Sequence, residues 1–286
     1  LIPNLSIFLS QLLEDFMINF PNAKINLGLY ITEKRSDGYH NLETVFLPVK
    51  VCDALECIAA EDLNLQIHGL PVAGSQQKNL VWKAWQLLKV DFPVLIKPVA
   101  IHLLKNIPMG AGLGGGSADG AFMLQLLNNM FALNLSAAQL SAYAIELGSD
   151  CPFFIYNQPC MAKGRGEILT PIDLDLSEYS IQLVCPEVHI TTAAAFANIK
   201  PKPANINLAQ LPSIGVSEWK DVLYNDFETT IFTAHPKLAA LKQSLYEQGA
   251  IYASMSGTGS TIYGIFEKGK EAAIDLEIPY KVFYQK

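Results

Sequence analysis

Charge is scarce in this chain, and patterned cysteine is absent. Only 16% of the 286 residues are Asp, Glu, Lys or Arg, while half are hydrophobic. That balance excludes a disordered chain, which could not bury enough apolar surface to order itself. What charge there is leans acidic, 27 residues against 20 basic for a formal −7. Nucleic-acid binding needs a basic face, so no nucleic-acid partner is expected; a small anion held by a few local donors stays compatible. The five cysteines (Cys52, Cys57, Cys151, Cys160, Cys185) are odd in number and form no CxxC pair. No metal spacing or disulfide framework is visible, which fits a reducing, cytoplasmic compartment. No run reaches the ~18 apolar residues of a membrane helix, so no membrane partner is expected. The opening "LIPNLSIFLSQLLEDF" has no Lys or Arg and is a poor secretory signal. Because the chain begins at Leu, residues 1–16 read as upstream sequence outside the fold, with Met17 as the start.

What is present is a mixture of strand and helix periods. "KINLGLYI" (24–31) alternates and reads as a half-buried strand with Lys24 and Asn26 side by side on one face. "RSDGYHNLET" (35–44) reads as a loop with an Asp-Gly turn, followed by a strand, "VFLPVKV". "LNLQI" (63–67) alternates, 79–89 has a helical period, and "VAIHLLK" (99–105) is a strand. Ser117 is placed to cap a helix running to about Leu133, and Ser136 with Gln139 forms a capping box for a second helix closing near Gly148. "GSDCP" then turns into an apolar strand, "FFIY". The polar region 161–180 reads as a domain boundary. Beyond it come a strand (181–184), an Ala-rich helix (191–199), a Pro/Asn loop (200–215), and a helix from Pro236 to Gly249. A hairpin-like pair follows, joined through Gly257–Thr258–Gly259. Without strict βαβ alternation the fold class is α+β.

Three stretches carry chemistry. "PMGAGLGGGSADGAF" (108–122) holds six glycines at the mouth of a helix. Glycines let successive N–H groups converge on an anion without Cβ obstruction, and the helix adds its positive end. No Gly-Lys-Ser/Thr follows, so it is not a Walker A loop. Its G-x-G-x-x-G spacing (Gly110, Gly112, Gly115) lies too far along the chain for a dinucleotide fold. "DGYH" sets an aromatic beside an imidazole, suited to stacking on a ring or to an ordinary turn. In "LGSDCPFF", Asp150 precedes an apolar run, where a carboxylate needs a partner such as a lysine or serves as a cap.

In this order, the "NAKINL" strand, "PMGAGLGGGSA", "GSDCPFF" and the late "SGTGS" turn (256–260) resemble the GHMP small-molecule kinases. The resemblance runs from Met17 to the C-terminus. It implies an N-terminal α+β domain with a left-handed βαβ crossover (17–167), a ferredoxin-like C-terminal domain (168–286), and a site in the cleft between the two. ATP and Mg²⁺ are the implied cofactors. The implied cofactor-binding residues are Asn79, Lys105, Pro108, Met109, Gly110, Ala111, Gly112, Leu113, Gly114, Gly115, Gly116, Ser117 and Ala118, with Asn79–Lys83 near adenine. Metal ligands are unassigned beyond Ser117. Lys24 and Asp150 are the implied catalytic residues: Asp150 accepts or orients the substrate hydroxyl proton, and Lys24 holds Asp150 ionised and neutralises the moving phosphoryl group.

"RSDGYHNL" is specific for one branch, whose small-molecule substrate carries a cytidine diphosphate moiety on a methylerythritol. There Tyr39 and His40 would clasp cytosine with Phe196 on its other face and Thr192 nearby, and Asn26 would reach the methylerythritol. The implied reaction is phosphorylation of that alcohol's 2-hydroxyl in isoprenoid precursor synthesis. The alternatives are a family kinase for homoserine or mevalonate, and a non-catalytic nucleotide-binding regulator on the same fold. One departure stands out: Asp119, where the family pattern has small residues or Asn, suits the helix dipole yet sits close to bound phosphates.

Overall fold

The computed structural model describes residues 16–197 and 199–286. Its elements run β1 (Phe16–Asn19), β2 (Asn22–Lys34), β3 (His40–Cys52), β4 (Ala54–Ala59), β5 (Asn64–Gly69), α1 (Leu80–Asp91), β6 (Val99–Lys105), α2 (Gly115–Met130), α3 (Ala137–Leu147), α4 (Cys151–Tyr156), β7 (Cys160–Lys163), β8 (Ile168–Pro171) and β9 (Tyr179–Pro186). Then follow α5 (Thr192–Phe196), α6 (Trp219–Val222), α7 (Phe227–Ala234), α8 (Pro236–Glu247), β10 (Tyr252–Met255), β11 (Ile262–Glu267) and β12 (Tyr280–Gln285). No helix among the described residues is long and apolar enough to cross a membrane. The expected extension over 1–16 lies outside the described residues except for Phe16, which opens β1.

The chain forms two compact units. Among the described residues, the first takes 16–23 together with Cys52–Ile107 and Gly115–Asn157. Its sheet has the order β1-β4-β6-β5. β4 pairs antiparallel with β6, and β5 pairs parallel with β6 through the crossover helix α1. Alternation along β6 sends Val99, Ile101 and Leu103 into the core, and Lys105 follows them by the same period. Asn79 caps α1, accepting the Val81 N–H, and the Ser136–Gln139 capping box opens α3. Gly120 allows α1 to pack closely on α2, since a Cβ there would stand 2.9 Å from Leu80 Cβ.

The second unit takes Lys24–Val51, Pro108–Gly114 and Gln158–Lys286. It holds two sheets, β2-β3-β7-β8 and β10-β11-β9-β12. In the latter every strand pair is antiparallel, the order of a ferredoxin-like sheet. Helix α8 fills the first crossover, but 268–279, joining β11 to β12, carries no helix. The core under this sheet gathers Phe227, Ile231, Leu241, Leu245, Met255 and Phe266.

Several local expectations change. "FFIY" is helical: Pro152 favours a helical first turn, and α4 runs to Asn157, which closes it at φ 49°. α2 begins at Gly115, so Ser117 lies inside its first turn and does not cap it. β2 is buried on both faces from Asn22 to Ile31 where alternation had pointed to one, because its polar face also lies inside the protein. The loop expected over 35–44 ends at His40, where β3 begins. The stretch 161–180 contains the β7–β8 hairpin. The 191–199 helix is shorter, Thr192–Phe196, capped by Thr191.

Candidate active site

In the second unit, Lys24 and Asn26 project to the same side of β2, and the Lys24 ammonium donates to Asn26 Oδ1 at 2.7 Å. Asn26 Nδ2 donates to Thr44 Oγ1 at 3.0 Å, and the Thr44 hydroxyl donates to the Gly28 carbonyl at 2.5 Å. Thr44 spends its one proton on Gly28 and can only accept from Asn26. That fixes the amide with its oxygen toward Lys24. Tyr263 donates to the Asn26 carbonyl at 2.7 Å, and the Phe46 ring lies 4.8 Å from the ammonium. All three polar side chains are buried, Lys24 only 4% exposed. A buried ammonium demands such partners.

The glycine loop 108–114 is anchored through its carbonyls. Thr261 N donates to Ala111 O at 3.2 Å, Ser256 Oγ to Gly112 O at 2.7 Å, and Lys24 N to Leu113 O at 2.9 Å. In a trans peptide the N–H points opposite to the preceding carbonyl. The N–H groups of Gly112, Leu113 and Gly114 therefore face away from these anchors. Gly110, Gly112 and Gly114 take φ of 67°, 78° and 72°, left-handed at every second residue. Alternation of that kind curls successive N–H groups into an anion-binding nest. Gly112 is required twice over, because a Cβ there would also run into the Ser256 carbonyl. Asn225, which sequence reasoning missed, donates to the carbonyls of Met255 and Gly257 at 2.7 and 2.8 Å and so shapes the "SGTGS" turn.

The expected substrate group is partly assembled. His40 and Phe196 stack directly, centroids 4.8 Å apart at 24°, and Phe196 meets Phe227 edge-on. Two rings at one stacking distance leave no gap for a third, so a base between His40 and Phe196 would have to part them. Tyr39 is exposed, with the Arg165 guanidinium 5.0 Å over its ring. Thr192, one turn before Phe196 on α5, is exposed.

In the first unit, the residues after the nest, Gly115–Ala118, form the first turn of α2. Asp150 stands immediately before α4, half-buried. The Asn79 side chain is engaged in capping α1. Lys105, expected among the cofactor-binding residues, is buried in this unit. Its ammonium donates to Asp53 and, at 2.7 Å, to Asp119 Oδ2. The alternation of β6 was the available signal, since a lysine in step with Ile101 and Leu103 points into the core. Burial pushes the Asp119 carboxyl up to about 7; Lys105 opposes the rise and Asp53 adds to it.

Known proteins share this organisation. The family model described as GHMP kinases N terminal domain matches residues 79–158, and that described as GHMP kinases C terminal matches 209–284. A protein of Bacteroides thetaiotaomicron named 4-diphosphocytidyl-2-C-methyl-D-erythritol kinase is 52% identical over 255 residues, covering 88% of this chain and 92% of its own. A crystal structure of 4-(cytidine 5'-diphospho)-2C-methyl-D-erythritol kinase, 28% identical, aligns with a TM-score of 0.75 over 87% of this chain and 90% of the other. The homoserine kinase of Cytophaga hutchinsonii aligns at 0.69 over 95% of each chain with 16% identity, a likeness of fold alone. With both family domains matched in order and 52% identity to one such kinase over 88% of its length, the chain belongs to the GHMP kinases.

Proposed function

We propose that this protein transfers the γ-phosphoryl group of ATP to the 2-hydroxyl of 4-diphosphocytidyl-2-C-methyl-D-erythritol. The observation that carries the phosphoryl chemistry is the nest at Gly110–Gly114 running into the first turn of α2. The acceptor rests on the relatives' names together with "RSDGYHNL". The family domains are taken as 17–167 and 168–286, in a cytoplasmic enzyme.

ATP lies against Asn79 and the loop from Pro108 to Ala118, whose N–H groups hold the phosphates. Lys24 neutralises charge as the phosphoryl group moves. Asp150 accepts or orients the proton of the acceptor hydroxyl, with proton loss late in a loose transition state. Asn26, its amide fixed by Thr44, bonds the methylerythritol; Tyr39, His40, Phe196 and Thr192 receive the cytidine, which parts the His40–Phe196 stack. Among the described residues no three His, Cys, Asp or Glu converge as a metal cage. Mg²⁺ takes oxygen ligands, and among this chain's residues the Ser117 hydroxyl, in the first turn of α2, is our candidate to hold it. When bound, the ion supplies charge neutralisation at the phosphates.

The test is ADP release with Mg-ATP and four alcohols: the diphosphocytidyl compound, homoserine, mevalonate and galactose. Turnover confined to the first, with Phe196→Ala raising its KM far more than that of ATP, is the expected result. Turnover of another alcohol alone would discard the acceptor and the aromatic site together. ATP binding without any turnover would favour the regulator.

A further inference from the structure

Three charged side chains close the stem of the glycine loop from below, and the reaction proposed above gives none of them a chemical role. Asp53, between β3 and β4, accepts the N–H groups of Asn106 and Ile107 on Oδ1, at 2.6 and 2.9 Å. Those two peptides lead directly into Pro108. The other Asp53 oxygen accepts the Lys105 ammonium, and Lys105 also donates to Asp119 on the first turns of α2. Lys105 precedes the loop and Asp119 follows it, so this ion pair ties the two ends together across its base. The stem is closed sterically as well: a Cβ on Gly115 would stand 2.8 Å from Ile107 Cγ2. All three charged residues belong to the first unit, and each is 3% exposed or less. Asp119 Oδ1 is buried with no partner.

A surface ion pair in this place would contribute little, but a buried one fixes geometry because no water can substitute for a lost partner. Two carboxylates around one ammonium are an expensive arrangement when neutral packing would fill the same space. Its effect is directional: it sets where Asn106 and Ile107 leave β6 and where Gly115 enters α2. We infer that Asp53, Lys105 and Asp119 form a buried clamp that holds the phosphate-binding loop in shape, with Lys105 and Asp119 acting as positioning residues for ATP rather than as its ligands. The inference rests on the kinase reading for its kinetic arm only.

The test compares Asp119→Ala and Asp119→Asn with the unmodified full chain. Asp119→Ala leaves Lys105 paired with Asp53, so the core keeps a neutral pair while the tie across the loop is lost. Asp119→Asn keeps an oxygen for Lys105. The readouts are hydrogen exchange of amides 109–117 in the ligand-free protein, and KM for ATP, KM for the alcohol and kcat. Asp119→Ala should speed exchange across 109–117 and raise KM for ATP by about tenfold or more, with kcat and the alcohol KM within about threefold; Asp119→Asn should restore both readouts to within about threefold. Unchanged loop exchange in Asp119→Ala would overturn the clamp, as would a uniform fall in all kinetic parameters accompanied by global loss of protection. An unchanged ATP KM in Asp119→Ala alongside a large rise in Lys105→Met would overturn it too, by making Lys105 a direct ligand. Absence of turnover in the unmodified protein would sink the kinase reading, while loop exchange would still decide the clamp.

Discussion

Lys24 shows how a single residue is prepared for its task. Its ammonium is buried on β2, and a chain of three hydrogen bonds, through Asn26 and Thr44 to the Gly28 carbonyl, sets the oxygen that receives it. Only the first link was legible in the sequence, because alternation places residues 24 and 26 on one face. Thr44 comes from another strand, and periodicity does not report what lies opposite. The same holds for Lys105: the resemblance placed it among the cofactor-binding residues, while its register with Ile101 and Leu103 carries its side chain into the core, where its carboxylate partners come from distant stretches of the chain. Under the proposed mechanism, Lys24→Ala and Asp150→Asn should each lower kcat by about a thousandfold or more while changing the calorimetric Kd for ATP by less than about fivefold. Near-normal turnover in either variant would remove that residue from the chemistry.

At the scale of elements, helices with sequence-visible ends were the most legible. Ser136 with Gln139 opens α3, and Pro236 opens α8, which closes before Gly249 at φ 96°. "FFIY" failed because four apolar residues have no period of their own, and Pro152 two positions after Asp150 settles the matter for a helical turn. The glycine loop was legible in composition but not in support. Its carbonyl anchors come from β2 and from 256–261, far along the chain. Gly112 and Gly249 separate the two reasons a glycine can be required. Both have positive φ, but a Cβ on Gly249 meets nothing within 4 Å, whereas one on Gly112 strikes the Ser256 carbonyl. Gly249→Ala should therefore destabilise by about 1 kcal/mol, the left-handed penalty alone, and Gly112→Ala by more than about 2 kcal/mol. Urea midpoints at constant m-value would check this. Equal losses would mean that the loop yields to the collision.

For the whole molecule, the sequence announced an α+β chain of this family, but periodicity could not say how segments share two units. β2 and β3 join the second unit although they precede most of the first, because sheet membership depends on long-range pairing rather than on local pattern. The cysteines sample both units. Cys57 and Cys151 lie buried in the first, Cys160 and Cys185 in the second, and all five thiols are free. Burial pushes Cys57, Cys151 and Cys160 up to about 12 and Cys185 to about 11, so thiolate, the reactive form, is suppressed at all four. Cys52 is only half-buried, and burial raises its thiol as well. A chromogenic disulfide reagent at about pH 8, near the ordinary thiol pKa, should thus find at most one fast equivalent in the native protein and five after denaturation. The four slow thiols should react at rates that fall when the fold is stabilised, because each must first be exposed by opening of its own unit. More than one fast equivalent would show that at least one of these buried thiols is open to solvent.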